Sequence, residues 1–298
     1  MAEPYSTPYK SPTITKWVAA GTANPRFQLS SPASVADVLR SSGRSMDPEV
    51  YRQSYINFDK AIDFLVKTAG KHKVLSEILL IAAGQMHGER DPLDPDEPAK
   101  WGHDEEKFVT VLIPGNTIEA AVRLPTKAVG YTDYLPAAVY VSDYSTTKID
   151  PEVHFASTLM HEYTHVVIER IYRNVSVPWK NGDESAAAAG KDRYNALVSA
   201  FLSIKEIPDG RWGIHNEDLR KLLVTLSNDW AGFTHSRRYP ESVPYLVEAL
   251  FLATRFGEQP ESIVKTAFGE AIMDVFTKYV VPDINTAAQK VRKAGAVT

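Results

Sequence analysis

Two histidines four residues apart, with a glutamate directly after the first, are the residues of this sequence best placed to do chemistry: His161-Glu162-Tyr163-Thr164-His165. On a helix, residues four apart share a face, so both imidazoles can aim a nitrogen at one metal ion. A carboxylate one residue past the first ligand projects beside the coordination position left for water, where it can accept a proton. The pattern predicts a zinc site with His161 and His165 as ligands and Glu162 as general base. Zinc lowers the pKa of a bound water from about 15.7 to about 7, which brings a nucleophile within reach at neutral pH.

That chemistry requires a helix, and the sequence supplies one. Asp150-Pro151-Glu152 combines a capping residue, a proline at the first helical position and an acid in the first turn, and the apolar periodicity runs on to about Tyr172. A tetrahedral catalytic zinc takes three protein ligands and keeps the fourth position for water, so one more is needed. Glu184 follows His165 with eighteen residues between and opens a new stretch, Asn181-Gly182-Asp183-Glu184-Ser185, whose four alanines at 186–189 allow close packing. Glu248, on a later apolar helix, is the alternative third ligand.

The spacing H-E-x-x-H, eighteen residues, then Glu resembles that of the gluzincin metallopeptidases, in the branch related to aminopeptidase N. Val177-Pro178-Trp179-Lys180 through Glu184 looks like that branch's approach to its third ligand, and Tyr239-Pro240-Glu241-Ser242 through Arg255-Phe256-Gly257-Glu258 is similar to the helix that packs beneath its site. The likeness covers roughly residues 105 to 280. It implies a zincin-like fold, zinc held by His161, His165 and Glu184, and a small sheet whose edge strand pairs with an extended peptide. It also implies a tyrosine or histidine of the C-terminal half as donor to the tetrahedral oxyanion. Tyr239 is the candidate, with His235 and Tyr245 as competitors. Ser185 stands where the family has Gly, and nothing matches the Gly-x-Met-x-Asn segment that recognises a free amino terminus, so the activity implied is that of an endopeptidase. The rival expectation is a zincin-fold binding protein that has lost hydrolysis.

The remaining histidines read differently. His154 lies seven residues before His161, too far to share the ion, and is expected as a surface or packing residue. His72, His87, His103 and His215 sit among charged residues and are expected in solvent.

Thirty-three basic against thirty-seven acidic residues give a net charge of −4 with no basic run, which argues against a nucleic-acid or anionic-membrane partner. No cysteine is present, so a metal must be held by histidine and carboxylate. The first sixteen residues lack the apolar run of a secretory signal, and no later run is long enough to span a bilayer, which leaves a cytoplasmic protein or a mature, exported effector form. The partner implied is a peptide or protein substrate.

Residues 1–45, rich in proline and serine, are expected as an extended arm. A helix is predicted from Asp47-Pro48-Glu49 through Leu65 and another over Val74 to Ala83. The acidic stretch Glu89 to Glu106 lacks the alternating ligands of a calcium loop and reads as a solvated connection. Phe108 to Ile113 and Ala137 to Val141 are β-branched runs read as strands, and Gly130 to Tyr134 could contribute to the sheet edge. After Glu184 the chain reads as helix throughout, including Leu219 to Leu226, Val243 to Phe256 and Ile263 to Val281. The expected class is α+β: an arm at 1–45, a helical and small-sheet subdomain at 46–150, and a zinc-binding helical subdomain at 151–298.

Overall fold

In the computed structural model the described residues are 28–29, 48–83, 109–113, 130–134, 137–142, 151–172, 195–197, 199–200, 214–232, 241–257 and 259–295. Among the described residues the packing is carried by helices α1 (Pro48–Ala69), α2 (Lys73–Ala83), α3 (Pro151–Tyr172), α4 (Glu217–Gly232), α5 (Ser242–Arg255), α6 (Pro260–Phe268), α7 (Glu270–Val275) and α8 (Val281–Gly295). A π-helical segment, Phe276–Val280, joins α7 to α8.

Helix α3 stands at the centre, packed by α5, α1 and α2. A helix enclosed on several sides must be apolar nearly all round. Here residues 155–160 and 162–168 are all buried, with Phe155, Leu159, Met160, Val166 and Val167 each at most 2% exposed. Hydroxyls on such a helix must find a partner within it, and Thr164 Oγ1 donates to the Met160 carbonyl at 2.7 Å.

Aromatic contacts fix α1 against this frame. The Phe58 ring meets Phe155 of α3 edge-on at 5.4 Å, and Phe64 meets Phe251 of α5 at 6.0 Å with the Arg255 guanidinium 5.1 Å above it. Edge-to-face pairs of this kind add about 0.5–1.5 kcal/mol each beyond the area they bury.

The helix expected over 263–281 is interrupted. Gly269 takes φ 105°, a conformation that favours glycine, and its N–H closes α6 on the Lys265 carbonyl at 2.8 Å before α7 begins.

Backbone pairing is also traced for four short segments, β1 (Gln28–Leu29), β2 (Val109–Ile113), β3 (Gly130–Tyr134) and β4 (Ala137–Ser142), in the order β1-β2-β4-β3. The core residues described lie almost wholly in the helices and the described chain is mostly helical, so the expected α+β, zincin-like class is corrected to a mostly helical one. The physical reason is that α3 packs most extensively against α5 and α1, and among the described residues it is apolar helix faces that close the core. The arm expected at 1–45 and the acidic stretch 89–106 lie outside the described residues, apart from Gln28 and Leu29. Among the described residues no helix is long and apolar enough to cross a membrane.

Candidate metal centre

Helix α5 faces the pentad. Glu241 just before it and Tyr245 and Glu248 on it stand at spacings of four and three, which place them on one side in helical geometry. The remainder of α5 is mostly apolar and buried, with Ser242 and Thr254 as its buried polar residues.

Glu241 is the residue preceding α5, already in helical conformation at φ −66° and ψ −36°. It forms no side-chain cap with the helix start. Its Oε2 lies instead 3.5 Å from Nε2 of His165 and 3.9 Å from Nε2 of His161. The ligand atoms of His161, His165 and Glu241 are all within 4.8 Å of one another, a group that could hold a metal ion. Bonds of 2.0–2.1 Å in a tetrahedron place donor atoms about 3.3 Å apart, so the Glu241 oxygen is already near such spacing from both imidazole nitrogens. Two imidazoles and one carboxylate also form a chemically suitable set for such an ion.

The second nitrogen of His161 is taken. Nδ1 lies 3.1 Å from Glu248 Oε2, and because an ionised carboxylate can only accept, Nδ1 carries the proton and donates. That bond orients the ring with Nε2 toward His165 and Glu241. Burial works against charge on His161, but the Glu248 hydrogen bond and the negative charges of Glu248, Glu162 and Glu241 outweigh it and push its pKa up to about 9. The Tyr245 ring packs edge-on against His161 at 5.0 Å, and the two histidine rings meet at 5.2 Å.

Of the residues singled out in the sequence, His161, Glu162 and His165 are brought together on α3, with Glu162 buried at 5% exposure and its charge acting on His161. Glu184, Tyr239 and His235 lie outside the described residues, as do His87 and His103. Tyr245 is at the site, half-buried against His161. Glu248, weighed as a third ligand, holds the far nitrogen of His161 instead. Glu241 had no role as a ligand in the sequence reading, although its place on the Glu241–Tyr245–Glu248 face of an apolar helix was a signal that could have found it. His215 is exposed as expected. His72 is not: its side chain is only 10% exposed, and Nε2 bonds Glu261 at 2.9 Å, tying the α1–α2 turn to the start of α6.

No family model matches the chain, and neither a curated protein nor a solved structure matches it.

Proposed function

We propose that this protein is a zinc-dependent metallopeptidase that cleaves within peptide chains, with His161, His165 and Glu241 as the metal ligands and Glu162 as the general base. The observation that supports the reading best is the convergence of Nε2 of both pentad histidines on one carboxylate oxygen of Glu241. A bound zinc ion would supply Lewis acidity, acidifying a water and polarising the carbonyl to be attacked.

The protein's own groups carry the rest. Glu162 accepts a proton from the attacking water on its carboxylate and returns it to the leaving amine, a role suited to a buried acid beside the ligands but not among them. Glu248 keeps the proton of His161 on Nδ1 and so leaves Nε2 free to ligate. Tyr245, with its ring against His161, is the described residue best placed to donate to a developing oxyanion; Tyr239, the candidate from sequence, stays a second one. The gluzincin resemblance supports the peptidase reading through the pentad, whereas the spacing to Glu184 contributes less once Glu241 is at hand.

The test is cleavage of an unbiased peptide library by the metal-loaded chain, with and without a chelator, and with Glu162→Gln. Cleavage within the peptides that disappears in the chelator and in the variant is expected. Absence of any cleavage by the wild type, with metal bound, would support instead a metal-binding protein that does not hydrolyse.

A further inference from the structure

Tyr245 reaches the metal centre in two ways. Its backbone N–H donates to the Glu241 carbonyl at 3.3 Å, which ties it to the residue whose carboxylate faces both pentad histidines. Its half-buried ring meets the His161 imidazole at 5.0 Å between centroids, with the two planes at 85°, a T-shaped contact. Three residues further along α5, Glu248 accepts from Nδ1 of the same imidazole at 3.1 Å. One side of α5 therefore meets His161 at two points, a carboxylate oxygen and an aromatic ring.

The two contacts constrain different motions. The torsion that turns an imidazole about its Cβ–Cγ bond is broad, so rotamer preference alone leaves the ring a wide arc. A hydrogen bond to one oxygen pins Nδ1 but lets the ring pivot about that point, which swings Nε2 away from His165 and Glu241. Packing does not cage the ring on every side, since the His161 side chain remains 14% exposed. A flat ring set nearly perpendicular to the imidazole blocks the pivot, and tyrosine does so at small entropic cost because two torsions fix it.

We propose that Tyr245 is a positioning residue for the metal centre: its ring holds the His161 imidazole at the angle from which Nε2 faces Glu241, and its backbone keeps that ring in register with Glu241 itself. The role belongs to the ring and is separate from any proton the hydroxyl donates to an oxyanion. It rests on the reading of His161, His165 and Glu241 as the ligand set.

The experiment uses the full chain with Tyr245→Phe, Tyr245→Leu and Tyr245→Ala. Zinc dissociation constants are measured by chelator competition. In metal-free protein the Nδ1 proton of His161 is followed by NMR as a low-field resonance whose exchange with water reports how firmly the ring is held on Glu248. Phe keeps the ring and should keep the resonance and a near wild-type constant. Leu fills much of the volume without a flat face, and Ala removes the group; both should speed the exchange and weaken zinc by about three- to tenfold, the range an edge-to-face pair contributes. A ring that merely fills space would be replaced by Leu with affinity and resonance intact, and Ala would only lower the melting temperature. Wild-type affinity and resonance in Leu overturn the proposal, as does a loss in Phe equal to that in Ala, which would place the role in the hydroxyl. If the wild type binds no zinc, the ligand reading fails, and exchange of the Nδ1 proton in metal-free protein still decides whether the Tyr245 ring holds His161.

Discussion

Glu248 accepts a hydrogen bond from Nδ1 of His161 at 3.1 Å, and this contact between α5 and α3 fixes which nitrogen of the imidazole faces Glu241 and His165. It makes the centre a two-helix construction: α3 contributes the imidazoles and the base, α5 a ligand and the group that aims one imidazole. Replacing Glu248 with Ala removes the acceptor and leaves a buried N–H unpaired. Zinc affinity should fall about ten- to a hundred-fold while the helical circular dichroism is retained. An unchanged dissociation constant would mean that the bond does not orient the ring.

The third ligand can be assigned by comparing Glu241→Gln with Glu184→Gln. Glutamine has nearly the same shape but offers no anionic oxygen, so loss of zinc by the Glu241 variant alone is expected. Retention by that variant and loss by the Glu184 variant would restore the sequence-based assignment.

Titration of His161 gives a pH dependence with a definite sign. Its pKa rises from 6.5 unfolded to about 9 folded, so in metal-free protein its contribution to stability is fully present below pH 6.5 and is lost as pH climbs through about 9. Zinc must displace the same proton, so its affinity should increase about tenfold per pH unit between pH 7 and 9 and level off above. Glu248→Gln, which removes both the bond and a charge, should move that plateau to lower pH. A plateau at the same pH in both proteins contradicts the cause assigned here.

The frame that holds α3 is testable separately. Phe155 is 2% exposed and meets Phe58 edge-on, so Phe155→Ala should destabilise the fold by about 3–5 kcal/mol in a denaturant titration. A loss under 1 kcal/mol would mean that α1 does not grip α3 through this pair.

Much of this was readable in the chain, for reasons that differ by residue. The α3 bounds, Pro151–Tyr172, follow from a proline at the first helical position and an unbroken apolar pattern, signals that act locally. The pairing of His161 with His165 follows from helix geometry alone. Glu241 was harder, because its role depends on how α5 lies across α3, a tertiary relation that neither the eighteen-residue spacing to Glu184 nor the periodicity of α5 encodes. The pattern Glu241–Tyr245–Glu248 marks a polar face but does not say which acid turns to Nε2 and which to Nδ1. His72 was misjudged for a related reason: charged neighbours in sequence said nothing of Glu261, 189 residues away, against which its ring is buried. The fold class was read as α+β from the β-branched runs, whereas the described residues are mostly helical and the described core is closed by helix faces remote in sequence.

The central claim is that one metal ion is held between α3 and α5 by His161, His165 and Glu241, and elemental analysis of purified protein tests it most directly. About one zinc per chain is expected in the wild type and in Glu162→Gln, which spares every ligand, and essentially none in His161→Ala/His165→Ala or in Glu241→Gln. Stoichiometric zinc in the double-histidine variant, or none in the wild type after incubation with zinc, would contradict the account.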